Sequence, residues 1–161
     1  MKLAAVIVLG FAIVCGVQAG CSTKVCTLIG CGIPFQVSFH PPGERWAPGT
    51  YEVAVTADGS SSRCVVTLPF PSCGGPGPTC EGTRDWQVIT SGCALPSEQH
   101  GIGGIAFVSA TPATVEVVVT RGGRQLAAAT FAPSYQTSEP NGPGCGDPCY
   151  GAPGAMLSIA P

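Results

Sequence analysis

Charge is scarce in this chain: Asp, Glu, Lys and Arg make up only 10% of its 161 residues. The seven Lys and Arg never cluster, so the basic stripe that nucleic acid or an anionic membrane surface requires is missing, and a nucleic-acid partner is not expected. Histidine occurs twice, at His40 and His100, and neither H-E-x-x-H nor G-x-S-x-G is present. No catalytic residue, metal ligand or cofactor is therefore expected. Asparagine occurs once, in Asn141-Gly142-Pro143, which is not a glycosylation acceptor. Apolar residues at helical spacing are missing after the first 17 positions, which argues against a helical fold.

What is present begins at the N-terminus. Met1-Lys2 carries one positive charge and Leu3 to Val17 is apolar apart from Gly10 and Gly16, the layout of a signal peptide over residues 1–19. The run is shorter than the roughly 20 apolar residues of a bilayer span. Val17-x-Ala19 has the small-x-small form of a cleavage site and sets the cut before Gly20. Ala19-Gly20-Cys21 also matches the end of a bacterial lipobox, which makes Cys21 a candidate for lipidation and membrane attachment, although Gln18 stands where an aliphatic residue is usual. Residues 20–161 are expected to form one mildly acidic β-domain, with six Lys and Arg left against nine Asp and Glu once Lys2 is lost.

Ten cysteines are many for such a chain. Cys15 leaves with the signal, and a lipid on Cys21 would leave eight that can all pair: Cys26, Cys31, Cys64, Cys73, Cys80, Cys93, Cys145 and Cys149. In an exported chain they read as disulfides, and several bridges at about 2–4 kcal/mol each rival the net stability of an ordinary domain. The spacings Cys26-x4-Cys31 and Cys145-x3-Cys149 would also tolerate zinc, a reading that export disfavours. Pro71 to Cys80 is too rich in proline and glycine for a regular element and is expected to be a loop closed by Cys73 and Cys80. Ser134 to Pro153 is a second expected irregular stretch, whose cysteine pairs the spacing does not assign.

Between the 23 glycines and 16 prolines lie short runs of Val, Thr, Ile and Phe. They predict strands near 25–29, 34–40, 50–57, 63–69, 85–90, 104–109, 114–120, 125–131 and 155–160, the pattern of an antiparallel β-sandwich. Two hairpins follow to the level of register. Asp58-Gly59 suits a two-residue turn in which both residues have positive φ, and counting outward pairs Val53 with Cys64 and Tyr51 with Val66 on one buried face. Gly122-Gly123 sets Val119 opposite Leu126 and Val117 opposite Ala128. That register turns Phe131 away from the face of Leu126, so either a bulge near Ala129 or a second packing surface is required.

Trp46-x-Pro48-Gly49-Thr50-Tyr51-x-Val53-x-Val55 followed by Asp58-Gly59 resembles the turn and strand of immunoglobulin-like and carboxypeptidase-regulatory-like sandwich modules. Over most of the chain after residue 20, Cys26-Thr27-x-x-Gly30-Cys31, Pro48 to Tyr51, Cys64, Ala94-Leu95-Pro96-x-x-Gln99-His100 and Pro140-Asn141-Gly142-Pro143-x-Cys145-x3-Cys149 resemble a group of uncharacterised exported or lipid-anchored bacterial proteins. The resemblance implies an immunoglobulin-like sandwich stapled by disulfides and supplies no catalytic residue.

Three chemical alternatives carry less weight. His100 beside Glu98 reads as a loop histidine, because no nucleophile motif accompanies it. Glu81 and Asp85 beside Trp86 would serve a glycosidase only if the carboxyls faced each other across a cleft, and Trp86 reads as a core or edge residue. The Cys73–Cys80 loop would suit a binding role but offers few side-chain anchors. The function expected is a non-enzymatic cell-envelope or extracellular interaction module, with a protein or surface glycan as partner. The alternative is a secreted inhibitor or ligand-binding protein that uses disulfide-closed loops.

Overall fold

The computed structural model describes residues 24–72, 77–82 and 85–161. The signal segment 1–19, Gly20, Cys21 and Cys73 lie outside the described residues. Among the described residues the chain is all-β apart from two 3-10 turns, at Pro42–Glu44 and Ser97–Gln99.

The strands are β1 (Phe35–His40), β2 (Gly49–Ala57), β3 (Ser60–Leu68), β4 (Thr79–Glu81), β5 (Trp86–Ser91), β6 (Gly101–Phe107), β7 (Val115–Arg121), β8 (Arg124–Phe131), β9 (Gln136–Ser138), β10 (Cys149–Gly151) and β11 (Ala155–Ser158). One sheet has the order β11-β1-β6-β5, a second β4-β3-β2-β7-β8, and β9 with β10 forms a separate ribbon. Every pairing is antiparallel except that of β1 with β11, where the first and last strands run side by side in parallel.

Period-2 alternation explains why the two larger sheets share one core. Phe35, Val37 and Phe39 on β1, Tyr51, Val53 and Val55 on β2, and Val115, Val117 and Val119 on β7 are all buried, while the residues between them reach toward solvent. Ile102, Ile105 and Phe107 of β6 and Trp86 of β5 join the same cluster from the sheet of β1. Fully burying a Val, Leu, Ile or Phe side chain is worth about 1.5–3 kcal/mol. This common core is the main non-covalent source of stability.

The β2–β3 hairpin has the register read from its turn, with Tyr51 opposite Val66 and Val53 opposite Cys64. Asp58 and Gly59 both have positive φ, at 47° and 85°. The Asp58 carboxylate also accepts the backbone N–H groups of Ala113 and Thr114 at 3.1 and 2.8 Å, tying the turn to the start of β7.

The β7–β8 hairpin departs from its expected register. Gly122 and Gly123 form the turn with φ of 56° and 80°, but Val119 faces Ala127 and Val117 faces Ala129, not Leu126 and Ala128. The cause is a bulge beside the turn: Thr120 pairs with Gln125 and Val119 with Ala127, so Leu126 is the extra residue. It lies three positions before Ala129, where a bulge was one of the two expectations. The bulge lets both Leu126 and Ala127 turn inward, and Phe131 returns to the core face, its ring centroid 6.3 Å from that of Phe35.

Three further expectations are corrected. Residues 25–29 form no strand; they have no ladder partner and are exposed. The loop ending at Cys80 is not closed by Cys73, because Cys80 is bonded to Cys64. The short strand β4 sets Cys80 directly across from Cys64 in the ladder, where the two sulfurs meet. The stretch 134–153 is not wholly irregular, since it contains β9 and β10.

Candidate interaction surface

The eight cysteines after Cys21 were the main candidate positions. Six of them form Cys26–Cys145, Cys31–Cys149 and Cys64–Cys80, and Cys93 is disulfide-bonded as well. The four cysteines with zinc-compatible spacing are thus engaged as two cystines, whose sulfurs carry no thiolate to offer a metal. The three disulfides among the described residues suggest an oxidising, exported environment. Among the described residues no helix is long and apolar enough to cross a membrane.

Cys26–Cys145 and Cys31–Cys149 bring together the two segments that stood 118 and 119 residues apart in the sequence. Between them sits the only asparagine. The Asn141 Oδ1 accepts the Ile29 N–H at 2.7 Å and the Thr27 hydroxyl at 2.8 Å, while its Nδ2 donates to the Ile29 carbonyl at 2.9 Å. One side-chain amide thus does for Ile29 what a neighbouring strand would do, satisfying donor and acceptor together. Two cystines and one amide make a clasp that fixes residues 26–31 although no sheet includes them.

The clasp exposes apolar side chains. Val25 is 89% exposed and Leu28 99%, with Ile29 and Tyr150 about half exposed. Ile33 and the exposed Met156 line one hollow of about 400 Å³ together with Gln36 and Ser38. Segment 25–33 contains no charged residue. A leucine left almost wholly in water on a covalently fixed segment is unusual for a chain that buries apolar residues so regularly elsewhere. Sequence reading missed this surface because Val25 to Ile29 is β-prone. The lone Asn141 within a cysteine-rich stretch was the one available signal of a special backbone contact.

A second recess lies around Trp46. The indole stands edge-on to Tyr51, with centroids 5.0 Å apart and planes at 88°. It rests on Gly101, where a β-carbon would lie 2.9 Å from its Cδ1. The Tyr51 hydroxyl donates to the Ala47 carbonyl at 2.6 Å and accepts from Arg121 at 3.3 Å, locking the turn before β2. His40, Glu44, Glu98 and His100 share with Trp46 a hollow of about 260 Å³.

The residues weighed for catalysis have other employment. His100 Nδ1 accepts the Phe70 N–H at 3.0 Å, which leaves Nε2 to donate to the Leu95 carbonyl at 3.1 Å. Both ring nitrogens are engaged, and the imidazole stacks on Phe70 at 5.0 Å. Glu81 accepts two hydrogen bonds from Arg63, at 2.9 and 2.7 Å, and Arg63 also reaches Glu52 at 3.3 Å. The hydrogen bond to Glu81 and then the charges of Glu81 and Glu52 hold the Arg63 guanidinium above its ordinary pKa. Trp86 is buried and donates to the Ser62 hydroxyl at 2.8 Å, so its ring is core and no sugar platform. Comparison with family models, with curated proteins and with solved structures returned no match.

Proposed function

We propose that this chain is an exported, non-enzymatic interaction module of the cell envelope or extracellular space, built on an immunoglobulin-like sandwich. The observation that carries the reading is the clasp, where exposed apolar side chains stand on a segment already ordered by two cystines and Asn141. Such a surface loses little conformational entropy on contact, which favours binding. The sandwich reading is supported by two sheets with a shared core and by the Tyr51 hydroxyl bonded to the carbonyl four residues upstream, similar to the tyrosine corner of immunoglobulin-like folds. The resemblance to exported or lipid-anchored bacterial proteins and the signal-like residues 1–19 agree with it. A secreted inhibitor or ligand-binding role is the second reading, favoured by a hollow of about 290 Å³ beside Phe70, Pro78 and Thr79 near the Cys64–Cys80 bridge.

Expression with the native N-terminus tests the proposal. The product is expected in the envelope or medium, its intact mass lacking residues 1–19 or beginning at a lipid-modified Cys21. The oxidised protein is expected to bind isolated envelopes, and Leu28→Asp to weaken that binding. A cytoplasmic product that retains residues 1–19, or turnover of envelope polymers by the purified protein, would overturn the reading.

A further inference from the structure

The structure assigns the clasp an occupant: we infer that Val25, Leu28, Ile29, Ile33 and Tyr150 lie against the lipid bilayer that holds the chain's N-terminus. The inference rests on the exported, membrane-attached form of the reading above. Three observations carry it.

The first is reach. Lys24 is only three residues beyond Cys21, and a fully extended chain gains at most about 3.6 Å per residue. A lipid on Cys21 therefore keeps Val25 within roughly 15 Å of the attachment point. The clasp cannot swing further out, because Cys26 and Cys31 bind it to the body through Cys145 and Cys149.

The second is chemistry. Val25 and Leu28 are 89% and 99% exposed, Ile29 and Ile33 55% and 51%, and Tyr150 48%. Tyr150 follows Cys149, the partner of Cys31, so the five side chains belong to one end of the molecule. Apolar residues with a tyrosine among them suit the boundary between headgroups and acyl chains, into which apolar faces sink by about 5–10 Å. Segment 25–33 carries no carboxylate, and Lys24 at its start is a cation that can stay at the phosphate level with its stem in the apolar layer.

The third is the contrast with the rest of the surface. Of the described large apolar residues left exposed, only Leu95 and Val108 lie away from the clasp and its neighbour Met156. The exposed apolar side chains are concentrated at the end from which residues 1–23 depart. A protein partner would leave that coincidence without a cause.

Photolabelling from within the bilayer tests the inference. The full chain, expressed with its own N-terminus, is reconstituted into phosphatidylcholine vesicles containing a phosphatidylcholine with a diazirine in its acyl chain. Floated vesicles are irradiated and the adducts mapped by mass spectrometry. Adducts are expected on residues 24–33 and on the peptide containing Tyr150, and V25D/L28D should lower labelling of both at least about tenfold, the change expected from losing even one of the two buried side chains. Both side chains are exposed, so the variant is expected to retain its disulfides and its melting temperature.

A chain that floats with the vesicles yet carries no adduct on 24–33 would overturn the membrane contact and leave the anchored module standing. Crosslinks between copies at 24–33 in place of lipid adducts would overturn it in favour of a dimer. A chain that does not float would overturn both the contact and the anchoring on which it depends.

Discussion

The two-sheet body and the clasp are built on opposite principles. In the body, strands alternate so strictly that Val37, Val53, Ile105, Val117 and Val119 are wholly shielded from water. The clasp hides almost nothing and exposes Leu28 almost completely, yet it is positioned by two cystines and three hydrogen bonds from one amide. Burial fixes a structure at the cost of its surface. Covalent fixing leaves the surface available for contact, which is what an interaction module requires.

The largest test of this contrast removes both clasp bridges, by Cys26→Ser with Cys145→Ser and Cys31→Ser with Cys149→Ser. Closing a loop of more than 100 residues is worth about 5 kcal/mol in the chain-entropy model. The second bridge closes only a further small ring, so it is expected to add about 2.5 kcal/mol. Urea denaturation should therefore show each single-bridge deletion costing about a third of the double deletion. If the two losses simply add, the bridges do not act as one clasp.

Next comes the body. Ile105→Ala should cost about 2–5 kcal/mol, the range for truncating a packed core residue, with the clasp's amide exchange unchanged until global unfolding. Truncating Leu28, by contrast, should leave stability within about 0.5 kcal/mol. A destabilising Leu28→Ala would mean that this side chain packs where it is exposed here.

Asn141→Ala is a smaller perturbation, expected to cost about 1–2 kcal/mol because the Ile29 N–H and carbonyl lose their shared partner. Its distinguishing readout is hydrogen exchange: the Ile29 amide should lose protection while those of β2 and β7 keep theirs. Equal loss of protection in the strands would erase the boundary between the two regions.

A small, pH-dependent effect is expected at Tyr135, whose hydroxyl donates to the Pro112 carbonyl at 3.1 Å. Burial, and then the charge of Asp58, raise its pKa above the ordinary 10.0. The fold thus favours the neutral phenol. Its contribution is complete below the ordinary phenol pKa and is lost as pH rises through the raised value. Tyr135→Phe should therefore lessen the fall in melting temperature above about pH 10 and change little at neutral pH.

What was legible in the sequence follows the same division. Asp58-Gly59 fixed the register of β2 against β3 because turn chemistry and alternation agreed. Gly122-Gly123 located its turn as well, and the conflict between Leu126 and Phe131 pointed to a bulge or a second packing surface, but the choice of Leu126 as the bulged residue is set by tertiary packing. Val25 to Ile29 reads as a strand by composition, yet a strand exists only with a neighbour, and here the neighbour is a side chain. Cys73 and Cys80 were paired on proximity in the chain, whereas pairing follows proximity in the ladder, which brings Cys64 opposite Cys80. Of the candidate surface, the sequence revealed the cysteines and both flanking motifs but not that they meet.

The clasp connectivity also bears on how the protein is made. A chain is synthesised from its N-terminus, so Cys26 and Cys31 wait for more than 110 further residues before Cys145 exists. An oxidant that joins thiols in order of arrival would couple Cys26 to Cys31 and close a small ring that the finished molecule does not contain. Reaching the native pairs from there takes thiolate attack on that early bond and exchange of partners. Where pairing follows order of arrival, a compartment that matures this protein has to do more than oxidise: it has to keep some thiols reduced long enough to correct the first pairing.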